Sequence, residues 1–268
     1  MSLTAEDRVA FAAAVTAATE AHAAAAPENG GIGTLSEKTV HAALKRWRDP
    51  DETHHEVPLP EGYIADIFDG ERVTEIQTAG FSGFRPKLAC LLEHYPVTVI
   101  HPVIREKTLL RLDPATGEIG RPRRASRKGC FADTAAELVY LLPLLGHPGL
   151  TVESVLLDAA EYRIPDGVRR GRAHTRRGER VPTGLVDRVI LQKTTDYAAL
   201  IPAGLPDEFD SAAFARAAGL RGRRLSAALK VLLTVGALTR EKQGRGYRYR
   251  RTAGEICENA KTEKQPCE

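Results

Sequence analysis

The chain has little from which to build a sulfur-ligated metal site. Its four cysteines, Cys90, Cys130, Cys257 and Cys267, form no Cys-x-x-Cys pair and no zinc spacing. They read as free thiols of a reducing compartment. No apolar run approaches the roughly 18 residues of a membrane helix. The opening stretch MSLTAEDRVAFAAAV lacks the basic region and pure apolar core of a secretion signal. A cytoplasmic location without membrane contact is expected. There is no internal repeat and no phosphate-loop signature, and the Gly-x-Gly pairs are turn chemistry.

What is present is charge, unevenly placed. The 268 residues carry a formal net charge of only +3. Residues 1–118 hold 11 Lys and Arg against 18 Asp and Glu, whereas residues 119–252 hold 25 against 13. An acidic first part followed by a basic second part points to a polyanion partner for the latter, nucleic acid above all.

Punctuation divides the chain into 1–30, 31–200, 201–252 and 253–268. The first is an alanine-rich helix closed by the linker APENGGIG. A second helix, LSEKTVHAALKRW, has Thr34 or Ser36 as N-cap. After it come a strand over 52–59, a hairpin over 63–78, the helix FRPKLACLLEHY, and two strands, PVTVIHPVI and KTLLRLD. Beyond 121 lie the basic connection RPRRASRKG, an apolar helix over 133–145, and a strand-like segment, LTVESVLLDAAEYR, ending in helix or turn. A loop-like basic stretch, GVRRGRAHTRRGER, follows. The last 16 residues read as a disordered tail. From 34 to 112 the order predicts an α/β fold with a mixed sheet.

The hairpin YIADIFDGERVTEIQT carries the chemistry. Period-2 alternation puts Asp66 on one face with Ile64 and Phe68, and Glu75 with Val73 and Gln77. Two carboxylates facing each other across a hairpin repel unless a positive charge sits between them. On the second helix Glu37 extends the apolar stripe Val40, Leu44 and Trp47, so a third carboxylate points toward the sheet. Taken alone, Glu37 reads as stabilising its helix N-terminus; together with the hairpin pair, it reads as the third carboxylate. His54 and His55, adjacent on a strand, point apart and cannot grip one ion together; His41, four residues after Glu37, is placed to touch the site, yet a surface or packing role is the first reading of each of these histidines.

Helix Glu, strand Asp, Glu-x-Gln on the next strand, then helix and strand: residues 34–112 resemble the PD-(D/E)XK, or restriction-endonuclease-like, nuclease superfamily. The resemblance implies Asp66 and Glu75 as ligands of Mg²⁺ or Mn²⁺, with Glu37 auxiliary. Hard oxygen ligands suit such ions, which activate water and stabilise charge on the scissile phosphate. The third motif position is Gln77 where the family has lysine. Some members recruit a basic residue from the following helix, and here Lys87 is the candidate, with Arg85 as the alternative.

Residues 205–251 resemble a winged helix-turn-helix module. Its second helix begins with Arg221, Arg223 and Arg224, the end that meets DNA when such a helix enters the major groove. The wing TREKQGRGYRYRR turns at Gly244 and Gly246 and offers Arg245, Arg248 and Arg250. The fold expected is therefore a mixed-sheet, restriction-endonuclease-like α/β core plus a C-terminal winged helix. The function expected is Mg²⁺-dependent endonucleolytic hydrolysis of DNA. The alternative is a degenerate nuclease fold acting as a DNA-binding regulator. A homodimer would suit double-strand cutting, and a protein partner in a DNA-processing assembly is the further expectation.

Overall fold

The computed structural model describes residues 3–24, 38–78, 80–113, 116–169 and 172–252. Glu37, the cap candidates Thr34 and Ser36, the linker and the C-terminal tail lie outside the described residues.

Among these, the first 100 residues give α1 (Ala5–Ala24), α2 (Lys38–Arg48), β1 (His55–Pro58), β2 (Ile64–Phe68), β3 (Val73–Ile76) and α3 (Arg85–His94). The middle holds β4 (Val97–Arg111), β5 (Arg123–Arg124), α4 (Ala132–Leu138), β6 (Leu150–Arg169) and β7 (Arg172–Leu191). The last part holds β8 (Glu208–Asp210), α5 (Ser211–Ala218), α6 (Gly222–Thr234), β9 (Leu238–Gln243) and β10 (Gly246–Arg251).

The main sheet is mixed, in the order β1-β2-β3-β4-β6-β7, with β5 paired to β4. β1, β2 and β3 form an antiparallel meander. β3 pairs parallel with β4, β4 parallel with β6, and β6 antiparallel with β7. Parallel neighbours need crossover connections; α3 supplies the first and α4 the second. Helices cover both faces of the sheet, which explains why the first half of β4, VTVIHPVI, is largely apolar and mostly buried. Val97 and Val99 belong to the cluster containing Leu88 and Leu91 of α3. Ile100, on the other face, packs with Phe11 of α1 and Val40 and Leu44 of α2.

Three local expectations are corrected. PVTVIHPVI and KTLLRLD are one strand, β4, whose pairing with β6 shifts register between Ile104 and Lys107. The two pieces that sequence separates are joined by a bulge rather than a turn. The helix over 133–145 is α-helical only to Leu138 and continues as 3₁₀ over Val139–Leu144, where Pro143 cannot supply an α-helical N–H. LTVESVLLDAAEYR stays extended to Arg169, and the basic stretch after it is strand β7 rather than loop. Of the glycines that suggested a loop, Gly178 serves a different purpose. A Cβ on Gly178 would lie 3.2 Å from the Tyr162 Cβ, so glycine lets the two strands approach.

The C-terminal elements form a three-stranded sheet in the order β8-β10-β9 beside two helices. Asp210 caps α5 by accepting the Ala213 N–H at 2.7 Å. Gly219, at φ 62°, ends that helix in the left-handed region. α6 packs on α4, and Ala228, Val231 and Leu232 share one apolar cluster with Leu138 and Leu141. The two units therefore share a core.

The basic connection 126–130 is pressed onto β4 by a steric requirement. A Cβ on Gly129 would fall 2.3 Å from the Ile104 carbonyl oxygen and 2.9 Å from Val103 Cγ1. Gly129→Ala should cost about 2 kcal/mol or more, as overpacking does. Urea denaturation of the variant checks this, and an unchanged midpoint would contradict the packing.

Candidate functional site

β2 and β3 pair through Phe68↔Val73 and Ile67↔Thr74 and then part. One step further in that register Asp66 stands opposite Glu75. Asp66 Oδ2 accepts the Ile76 N–H at 2.7 Å, so a side chain satisfies a donor at the fork of the two strands. The face is buried on one side of the site only: Phe68 packs into the core, while Ile64 is 54% exposed.

Two helices deliver hydrogen-bonding partners to the carboxylates. Leu88 and Leu91 seat α3 on the sheet, and Lys87 at the edge of that stripe reaches Glu75 Oε2 at 2.7 Å. The same ammonium donates to the Ile64 carbonyl at 2.7 Å, bridging β2 and β3 where they separate. From α2, held by Val40 and Leu44, His41 Nε2 lies 3.1 Å from Asp66 Oδ2. The structure thus brings Asp66, Glu75 and Lys87 together and adds His41.

Gln77 is turned elsewhere. Its amide nitrogen donates to the Gly80 carbonyl at 3.2 Å, and its backbone carbonyl accepts from His101 Nδ1 at 2.8 Å. His101 is buried against Phe81, and burial lowers its pKa, which leaves a neutral ring donating from Nδ1. Arg85 is exposed.

The two carboxylates differ in proton affinity. Burial, reinforced by the Asp66 charge, pushes Glu75 up to about 7, and the Lys87 ammonium offsets part of this. Burial also acts to raise Asp66, but the His41 hydrogen bond and charge, with the Ile76 amide, hold it below the ordinary carboxylate range. Glu75 Oε1 is buried and has no hydrogen-bond partner. Such an atom invites a proton or a ligand. Among the described residues no three His, Cys, Asp or Glu side chains converge to hold a metal ion.

The arginines expected at a nucleic-acid surface divide. Arg221 and Arg223 are exposed at the start of α6 and make no ion pair among the described residues. Arg224 instead binds Glu137 Oε1 at 2.6 Å and Asp133 Oδ1 at 3.0 Å, fastening α6 to α4. On the β9–β10 hairpin Arg245 is exposed at the turn, Arg248 donates to Gln243 Oε1 at 2.8 Å, and Arg250 pairs with Glu208. Tyr249 is buried and stacks on Phe209, while Tyr247 lies under Arg240, with the guanidinium carbon 4.6 Å from the ring centroid. Sequence reasoning missed the cluster around Glu161, which is fully buried and shared by Lys107, Arg163 and Arg180. Reading TRRGER as a strand would not have separated these arginines, because the pairing shifts register between Glu161 and Arg163 and breaks the alternation.

Fold and site together define a mixed α/β protein with a carboxylate–lysine cluster at a strand fork. The chain belongs to the family described as "Domain of unknown function (DUF8091)", whose model matches residues 38–192. The match runs from α2 through β7 and contains Asp66, Glu75, Gln77 and Lys87. An uncharacterized protein of Treponema pallidum (strain Nichols) is 30% identical over 163 residues, covering 60% of this chain and 61% of that protein. This chain thus spans about three fifths of that relative's length. No solved structure gives a significant match.

A carboxyl whose pKa is raised on folding contributes stability that is complete below its unfolded value and lost as pH rises. In metal-free buffer, Glu75 should therefore lower stability progressively as pH rises from about 4.5 to about 7. Glu75→Gln should remove that decline. Denaturant melts of both proteins at pH 5 and pH 8 give the comparison, and profiles that run parallel would refute the assignment.

Proposed function

We propose that this protein is a metal-dependent endodeoxyribonuclease of the restriction-endonuclease-like kind, with DNA held by a C-terminal winged helix. The observation that carries the reading is Lys87 at 2.7 Å from Glu75, with Asp66 opposite, at a strand fork followed by a crossover helix and a parallel strand. A lysine is needed beside the strand Glu, and α3 provides it where Gln77 follows β3.

The donor set fits a hard divalent cation. Asp66 and Glu75 offer carboxylate oxygens, and Glu75 Oε1 has no other partner. Two protein ligands with water and phosphate completing the shell suit Mg²⁺ or Mn²⁺. When bound, the ion would activate a water and stabilise charge on the phosphate. Lys87 would orient that water and hold Glu75 in place, and His41 would hold Asp66 in its ionised form. Glu37 is the auxiliary ligand of this reading. The order β8, α5, Gly219 turn, α6 and hairpin β9–β10 supports the winged helix, with Arg221, Arg223 and Arg245 free to meet phosphates. A second reading, a DNA-binding regulator with a degenerate site, is favoured by one observation. His41 and Lys87 already partner both carboxylates within the chain.

Supercoiled plasmid with Mg²⁺ or Mn²⁺ separates the two. The nuclease reading expects nicking that Asp66→Ala or Glu75→Ala abolishes and Lys87→Ala lowers by about 10²-fold or more. Plasmid bound but never nicked would leave the regulator. For the winged helix, Arg221→Ala with Arg223→Ala should reduce the slope of log affinity against log salt by about 2. Anisotropy of a labelled duplex measures this, and an unaltered slope would place DNA elsewhere.

A further inference from the structure

A cavity of about 620 Å³ opens between the sheet, α4 and α6. Lys107, Arg127, Arg177, Arg180 and Arg224 line it. Not all of this charge is spent inside the protein. Arg127 and Arg224 are matched by the two carboxylates of α4, Asp133 and Glu137. Lys107 and Arg180, however, share the single carboxylate of Glu161 with Arg163. Three cations on one buried anion leave two positive charges without a counter-charge.

Arg177 adds to the surplus. It is exposed, makes no ion pair among the described residues, and stands directly opposite Arg163 across the β6–β7 pair. Like charges in that position repel. An anion seated in the cavity would relieve both the repulsion and the buried excess. The volume lies within the range of sites for small ligands.

The position of the cavity matters as much as its charge. Thr78 and Gly80 form part of its wall, so it begins where the strand carrying Glu75 ends. On its other side it shares Ser126, Arg127 and Arg224 with a groove of about 1050 Å³ that reaches Arg221 at the start of α6. Arg127 Nε donates to the Gly219 carbonyl there, tying the wall to the turn between α5 and α6.

We infer that this cavity is a binding site for phosphate groups, connecting the carboxylate fork to the helix-turn-helix surface. The ligand class is a phosphodiester strand or a free polyphosphate. The inference deepens the nucleic-acid reading and rests on it for the carrier of the phosphates. Guanidinium groups bind such oxygens by charge-assisted hydrogen bonds.

The test uses the full chain without divalent metal, so a protein that never nicks plasmid still reports on the cavity. The probes are a labelled single-stranded 12-mer, read by anisotropy, and inorganic triphosphate, read by calorimetry and as competitor, at about 50 mM salt, where phosphate contacts are strongest. Arg177→Glu should weaken the bound probe about tenfold or more and Arg177→Ala about threefold, with melting temperatures that do not fall, since either change removes the repulsion with Arg163. For the oligonucleotide the salt slope should also fall by about 0.7 per lost contact. Triphosphate bound in an Arg177-dependent way identifies a free polyphosphate. Arg177-dependent binding of the oligonucleotide alone identifies a polynucleotide strand. Binding of neither probe, or affinities and slopes that Arg177→Glu leaves intact, overturns the inference.

Discussion

The parallel pairing of β3 with β4 is the constraint on which the rest depends. Glu75 is registered against Val99, and Val73 against Val97. A parallel pair cannot be closed by a hairpin, so the chain must leave the sheet, cross one face as α3 and return. That face is fixed by Leu88 and Leu91, which need the valines of β4 beneath them. Once α3 is seated, Lys87 has one place to put its ammonium, against Glu75 and the Ile64 carbonyl. A helix lysine becomes part of the site because the crossover sets α3 where its ammonium meets Glu75 and the Ile64 carbonyl.

Much of this was legible in the residues. The alternation in YIADIFDGERVTEIQT placed Asp66 and Glu75 within one register step, and the stripe of FRPKLACLLEHY put Lys87 at its border. The helix stripe Val40, Leu44 and Trp47 was also readable, but His41 read first as a surface or packing histidine, and only the approach of α2 to Asp66 brings it into the site. What was illegible has a physical reason. A bulge inside β4 looks like a strand end, because sequence patterns record alternation but not continuity. Glycine and arginine in β7 look like loop composition, because a cross-strand approach to Tyr162 leaves no trace in the local pattern. Arg224 looked like its neighbours Arg221 and Arg223, and only the position of α4 separates it from them.

The charge imbalance between the two parts of the chain also acquires a finer meaning. Buried carboxylates in the basic part draw cations inward: Glu161 is fully buried and surrounded by three, and Glu153 is buried beside Arg188, which also lies over Trp47. Such arrangements cost desolvation and return it only with good geometry. They fix where β6 and β7 lie against each other and against the helices of the opposite face. A count of arginines therefore overstates what the surface offers to solvent. Arg163, Arg180 and Arg188 are spent internally, while Arg121, Arg123, Arg177, Arg216, Arg221, Arg223 and Arg245 remain exposed.

The shared core of α4 and α6 bears on modularity. The family match ends at residue 192, yet Leu138 and Leu141 pack in one cluster with Ala228, Val231 and Leu232. A chain of this family that stopped at the end of β7 would bare an apolar strip along α4 and the 3₁₀ segment after it. Any such chain needs a substitute lid there, whether another domain or another subunit. The helix pair after residue 210 is thus a stopper for the sheet domain as well as an appendage, and exchanging it for a different module would require matching that strip first.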